Sequence, residues 1–243
     1  MVVKILKKID KLYLNGFLKK KYHEFKYGNE VKNKLHYLNL KLQQPEKKAL
    51  LLSDLISKCP DNGDIVECGV GVGFTLTILS LLSKKKIYAF DSFEGFPSEF
   101  SEKEDKNLIK AFSKSKWNYK LMTTELVKKN LLRNGISEND FSERIFLKKG
   151  FFPDSFKGFN QPISFLHLDV DLYLSYKECL DFFYPMLVKG GIVTFDEYVP
   201  DNEKKKKKGY NFIGAKIAID EFLKENNITL LEHFTGYKYI IKN

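Results

Sequence analysis

Five short apolar runs recur along this chain with helix-spaced segments between them, and this alternation constrains the fold more than any other feature. The runs are DIVEC (64–68), KIYAFD (86–91), RIFLKKG (144–150), ISFLHLD (163–169) and GIVTFD (191–196). Apolar runs of this length bounded by turn residues read as buried strands. FTLTILSLLSK, TTELVKKNLLRNG, SYKECLDFFYPML and GAKIAIDEFLKEN read as helices, the second ending at Gly135. Further helices are expected near 2–26 and 44–59. Strand–helix alternation predicts a mostly parallel sheet with helices on both faces. The C-terminal runs ITLLEHF and YKYIIK flank Thr-Gly, which predicts an antiparallel hairpin. The expectation is therefore α/β: a doubly wound, Rossmann-like sheet of seven strands, with a C-terminal antiparallel hairpin and N-terminal helices. Residues 1–60 are expected to form a helical cover or oligomer contact, and 61–243 the main domain.

Composition narrows the partners. At 243 residues, 43% of them apolar, the chain can bury one large core. Its net charge of +10 raises nucleic acid as a partner, but Arg133 and Arg144 are the only arginines. Base readout and phosphate clamps favour the planar guanidinium, so specific nucleic-acid binding is not expected. The lysine run at 204–208 reads as a solvated loop. No apolar run reaches membrane-span length. The N-terminal MVVKILKKIDKLYLNGFLKKKYHEF lacks the continuous apolar core of a secretory signal. It reads as an amphipathic helix, serving as a cover, a dimer contact or a membrane-surface contact. Cys59, Cys68 and Cys179 have neither metal-site nor redox spacing, which points to buried thiols in a reduced, cytoplasmic setting.

In doubly wound sheets ligands sit at the carboxyl ends of the strands, and there this chain places glycines and acids. The first strand runs into E-C-G-V-G-V-G-F, with Glu67, Gly69, Gly71 and Gly73. A dinucleotide fingerprint reads G-x-G-x-x-G; this loop is one residue shorter and is preceded by an acid. It suits a ligand carrying a ribose and a cationic amino acid, with Asp91 at the next strand end accepting from the ribose hydroxyls. That plan, with its final antiparallel strand, is similar to that of methyltransferases using S-adenosylmethionine. Two competing readings remain. Glu67 and Asp91 could cap a helix and a turn, or the site could serve a nicotinamide-dependent oxidoreductase.

The fourth and fifth strands end in Asp169, Asp171, Asp196 and Glu197. Converging carboxylates repel one another unless a cation joins them, and an all-oxygen set favours magnesium, calcium or manganese. Asp169, Asp196 and Glu197 form the best ligand set. Asp169 also suits a general base acting on an alcohol. Asp171 is either a fourth acid of the site or the cap of the following helix. His167, two residues before Asp169 and on the same face, is a core histidine or an alternative base.

VECGVGVG, YAFDSFEGFP, GFFPDSF, SFLHLDVDLYLSYKECL, GGIVTFDEY and GAKIAIDEF together resemble the macrocin O-methyltransferase family, from about residue 63 to 222. The resemblance implies an S-adenosylmethionine- and magnesium-dependent enzyme that methylates a sugar hydroxyl. Glu67, Gly69 and Asp91 would hold the donor, with Ser92 beside the ribose and Asp154 near the adenine. Asp169, Asp196 and Glu197 would hold Mg2+, with Asp169 doubling as base. Where the family often has two aspartates, this chain has Asp196-Glu197. The resemblance also implies a sugar or nucleotide-sugar acceptor and a homo-oligomer. The irregular stretch 93–118 would be a lid over the acceptor, with Phe96, Phe100 and Trp117 either stacking on a sugar ring or pinning the lid. A small phenol or amine acceptor is the alternative.

Overall fold

The computed structural model describes residues 44–97, 105–106, 108, 122–198 and 212–243. The expected helix near 2–26, the lysine run, Phe100 and Trp117 lie outside the described residues. The described elements are α1 (Gln44–Ile56), β1 (Asp64–Cys68), α2 (Phe74–Leu82), β2 (Ile87–Asp91), α3 (Thr124–Arg133), α4 (Glu138–Arg144), β3 (Ile145–Lys149), β4 (Ile163–Leu168), α5 (Tyr173–Phe183), β5 (Leu187–Phe195), α6 (Ile213–Glu225), β6 (Leu231–Glu232) and β7 (Lys238–Ile241). Among the described residues no helix is long and apolar enough to cross a membrane.

Seven strands form one sheet in the order β3-β2-β1-β4-β5-β7-β6. The pairs from β3 to β5 are parallel, while β7 lies antiparallel to both β5 and β6. The chain builds outward from β1 through β2 to β3, then returns to place β4 on the other side of β1. The switch point thus falls between β1 and β4, where such sheets open a crevice at the strand ends.

Alternation along the buried strands sends side chains to two separate cores. Ile65, Ile87, Ala89, Phe165 and Ile192 pack with Leu51, Leu52 and Leu55 of α1 and with residues of α2 and α3. Val66, Phe90, Leu166, Leu168, Val193 and Phe195 pack with α5 and α6. Each fully buried side chain of this kind contributes about 1.5–3 kcal/mol. All six residues of β4 are buried, as a central strand covered on both faces requires.

Two local differences from the sequence expectation have physical causes. Arg144 was expected to open the third strand; instead it closes α4, a helix not expected from the sequence. The Ser137 hydroxyl caps that helix by accepting from the Asp140 amide at 3.0 Å. The fifth strand begins at Leu187, earlier than expected, because its start pairs with Ile163 across an irregularity in register.

Arg144 is 6% exposed, and its guanidinium donates twice to Asp140, at 2.8 and 2.9 Å, and once to the Ser80 carbonyl at 2.7 Å. Hydrogen bonds from Arg144 hold the Asp140 carboxyl below the usual carboxylate range, with Lys84 adding to the effect. This contribution is present above the unfolded carboxyl pKa of about 3.9 and is lost as pH falls from there through the lower folded value. Asp140→Ala strands a buried guanidinium and is expected to cost about 1–3 kcal/mol in urea unfolding at neutral pH. The deficit should shrink below about pH 3. Equal stability of the two proteins at pH 7 would show that Arg144 does not depend on this partner.

Candidate active site

The strand ladder continues past its formal ends and places two carboxylates side by side. Leu168 of β4 is in register with Phe195 of β5. One residue on, the Asp169 amide donates to the Cys68 carbonyl at 2.9 Å and the Asp196 amide to the Leu168 carbonyl at 3.0 Å. The two acids therefore stand on neighbouring strand tips. Between them lies Lys48 of α1, its Nζ 2.9 Å from Asp169 Oδ2 and 2.7 Å from Asp196 Oδ1. Burial disfavours the Lys48 charge, but Asp169 and Asp196 outweigh it and hold its pKa well above the ordinary lysine value.

The remaining acids divide between two overlapping groups that share Asp169. Its ligand atoms gather within 4.8 Å with those of His167 and Asp196 on one side, and with those of Asp171 and Glu197 on the other. Glu197 is 2% exposed, and its Oε2 accepts from the Tyr176 hydroxyl of α5. Asp171 has φ +60°, and the Leu172 amide donates to the Val170 carbonyl at 2.6 Å, so Asp171 is the centre of a tight γ-turn. A non-glycine residue in that conformation costs on the order of 1–3 kcal/mol and marks a candidate functional position. The capping alternative for Asp171 is met by another residue: Asp105 Oδ2 accepts from the Tyr173 amide at 2.9 Å. Asp105, only 2% exposed, thereby anchors part of the expected lid segment to α5.

Beside this rim, β1 delivers Glu67 and the glycine loop. Glu67, His167 and Thr194 occupy one register row across β1, β4 and β5, each 0% exposed. His167 Nδ1 meets Thr194 Oγ1 at 2.8 Å. Among the described residues, neither carboxylate oxygen of Glu67 has a hydrogen-bond partner. Burial raises its pKa well above the ordinary value; Asp169 and Asp91 add to the rise, while Lys48 opposes it. An orphaned buried carboxylate is costly, and a cationic ligand group would supply its missing partner.

Gly69 couples the two halves. At φ +84° its Cβ would lie 1.9 Å from the Asp169 carbonyl oxygen, so no larger residue allows this approach. Gly71, at φ +53°, faces open space, with no atom within 4 Å of where its Cβ would be. The bare side of Gly73 packs on Val127 and Leu131 of α3. Asp91 turns onto this loop: Oδ2 accepts from the Val70 and Gly71 amides at 2.7 and 3.0 Å, and Oδ1 from the Phe93 amide at 2.8 Å. Its carboxylate thus has the turn-holding role weighed above. Ser92 Oγ closes the next turn, donating to the Gly95 carbonyl at 2.6 Å. Asp154 opens a short 3-10 turn after β3, 78% exposed, with its carboxylate 2.6 Å from Lys157.

Sequence reasoning missed Lys48, Tyr176, Asp105 and Tyr237. Tyr237 stands in the hairpin turn before β7, 7% exposed, and its phenol pKa is raised by burial and then by Asp196. Tyr176 alone had a usable signal: it lies in SYKECL, within the most distinctive motif. The other three come from elements remote in sequence from the strand tips.

A doubly wound sheet with an antiparallel β7 inserted beside β5, a glycine loop after β1 and acids after β4 and β5 defines the class of the protein as a Rossmann-like methyltransferase fold. A family model described as macrocin-O-methyltransferase (TylF) matches residues 53–229, and the chain belongs to that family. It is an S-adenosylmethionine-dependent O-methyltransferase. Among solved structures it is similar to the O-methyltransferase NovP (TM-score 0.64, 21% identity, 82% of this chain and 79% of that one). It is also similar to CalS11, a TDP-rhamnose 3'-O-methyltransferase of calicheamicin biosynthesis (TM-score 0.56, 22% identity, 92% of each chain). A third match is an O-methyltransferase from Bacillus cereus in complex with SAH (TM-score 0.50, 12% identity, 100% of each chain). At these identities the likeness is one of fold. No curated protein matches the sequence.

Glu67 yields a prediction with a definite sign. The unfolded glutamate loses its proton near pH 4.3, whereas the folded one keeps it to a higher pH, so wild-type stability falls as pH rises between those values. Glu67→Gln should therefore melt higher than wild type at about pH 8, and the gain should diminish toward about pH 5. The same variant should show a reduced melting shift with S-adenosylhomocysteine. A Glu67→Gln protein that melts below wild type at both pH values would contradict this assignment.

Proposed function

We propose that the protein transfers the methyl of S-adenosylmethionine to a hydroxyl of a sugar, with a divalent cation, magnesium by chemistry, at the Asp169 rim. The observation that carries this reading is the adjacency of the two half-sites, with Gly69 pressed against the Asp169 backbone. Family membership and the fold likeness to a TDP-rhamnose methyltransferase support a sugar acceptor. The net charge of +10 suits a phosphorylated or nucleotide-linked one.

Both bound groups fit the residues present. The orphaned Glu67 carboxylate and the open face of Gly71 suit the cationic donor. Its ribose would meet Asp91 and Ser92, with Asp91 exchanging at least one loop amide for a hydroxyl, and its adenine would lie toward Asp154. The oxygen donors of Asp169, Asp171 and Glu197 suit a hard cation, and Asp196 adjoins Asp169 in a second group with His167. The ammonium of Lys48 between Asp169 and Asp196 means that a cation reaching both must displace it. When bound, the donor supplies an electrophilic methyl and the cation lowers the pKa of the acceptor hydroxyl.

The chain's own residues do the rest. Asp169, 29% exposed in its side chain and fixed by its backbone bond to Cys68, takes the proton from the acceptor hydroxyl as its oxygen attacks. Asp171 adds a second carboxylate beside Asp169, and His167, steadied by Thr194, lies beside Asp169 and Asp196. Asp105 pins the start of α5 and with it the loop that carries Asp171.

Labelled donor offered to free sugars, glycosides and nucleotide-sugars, with magnesium or with a chelator, tests the reading. Transfer to a sugar hydroxyl that stops on chelation is expected. Asp169→Asn should lower transfer at least about 100-fold while the melting shift with S-adenosylhomocysteine persists. Undiminished transfer by Asp169→Asn, or transfer indifferent to chelation, would sink the metal-assisted mechanism.

A further inference from the structure

The mechanism leaves Lys48 without a task. It reaches the rim from α1, and its side chain is 12% exposed, as is that of Asp196. Its base is firmly held. Leu51, Leu52 and Leu55 of the same helix are 0–1% exposed in the core. Asp54, also on α1, pairs with His233 Nε2 of the C-terminal hairpin at 3.2 Å. A buried helix thus delivers an ammonium on a flexible four-carbon stem to the gap between two carboxylates. The gap lies within a wider acidic rim, since Asp171 and Glu197 adjoin the same Asp169. An ammonium is also a compact, strongly hydrated charge, held by attraction and not by coordination geometry.

We propose that Lys48 is an exchangeable internal counter-ion, which bridges Asp169 and Asp196 until a divalent cation displaces it and thereby sets how tightly the cation is held. The inference rests on the divalent-cation reading of the rim. The displaced ammonium would stay on α1, and its charge would oppose that of the cation. Cation affinity is consequently lower than the carboxylate count alone would give. The two carboxylates keep a counter-charge at every stage, so the strand tips need not splay when the cation leaves. The divalent charge, and not ionic radius alone, is what wins the exchange.

Mn2+ serves as the probe because its free form is read directly by electron paramagnetic resonance. Titrations of the full chain compare wild type, Lys48→Met and Lys48→Arg, with Asp169→Asn as the control for site occupancy. Lys48→Met should bind Mn2+ at least tenfold tighter than wild type. In chelator it should melt lower than wild type, and added Mn2+ should raise its melting temperature by more. Lys48→Arg keeps the charge and should return the affinity to within a few-fold of wild type. Should Lys48→Met not fold, Lys48→Gln replaces it. A measurement on the unaltered protein adds an independent arm: saturating Mn2+ should increase labelling of Lys48 by an amine-reactive reagent, read by mass spectrometry. Wild-type binding of Mn2+ with unchanged or weaker affinity in Lys48→Met, or with unchanged Lys48 labelling, overturns the exchange and leaves the cation reading standing. No Asp169-dependent Mn2+ binding by any of the proteins overturns both.

Discussion

Two carboxylates on adjacent strand tips need a cation between them, and the rim of this sheet is organised around that requirement. Asp169 and Asp196 stand together because the parallel ladder carries on past β4 and β5, tying each backbone to its neighbour. Backbone hydrogen bonds at that spacing keep the two side chains rooted on neighbouring strands. The resulting repulsion is met by Lys48, drawn in from a helix on the face of the sheet. Burial disfavours the charge on that lysine, and the acids outweigh the effect. Removing Lys48 would leave two facing carboxylates without their shared counter-charge in a half-buried rim, a far larger penalty than loss of an exposed ion pair.

The same rim joins two chemistries. Gly69 allows the loop after β1 to press on the Asp169 backbone, so whatever that loop holds lies beside whatever the acids hold. Behind this contact runs the buried polar row of Glu67, His167 and Thr194. A polar row in a parallel sheet is costly to bury, and here it is left partly unsatisfied at Glu67. Stability is given up at Glu67 and at the strained turn of Asp171. Both costs fall at the strand ends, where the fold opens toward ligands.

Much of this was legible in the order of residues. Apolar runs of five or six residues, each closed by glycine or an acid, announce strands and their carboxyl ends together. Hence Glu67, Asp91, Asp169 and Asp196 stand out in the sequence itself. The seven-residue α4 was not legible, because its core contacts come mainly from Phe141 and from a buried arginine whose partner is one helical turn away. Asp171 sat where a cap belongs, yet Asp105, from a polar stretch without periodicity, caps α5. Side-chain hydrogen bonds between distant segments leave no local pattern to read. Lys48 was concealed for a related reason: one lysine on an amphipathic helix looks like every other in a chain with 41 basic residues.

By itself the sequence determined the class of fold, the strand ends and the types of residue standing on them, since periodicity and turn chemistry act over a few residues. Only the tertiary structure decided which of those residues meet. Strand order put β1 beside β4, and so Gly69 against Asp169. The antiparallel insertion of β7 brought Tyr237 back to the carboxyl rim, as the pairing of Lys238 with Phe195 shows. Packing of α1 on the sheet set a lysine between two aspartates more than a hundred residues away. Such meetings depend on long-range packing and loop closure, whose energies are shared over the whole core and written in no single stretch of chain.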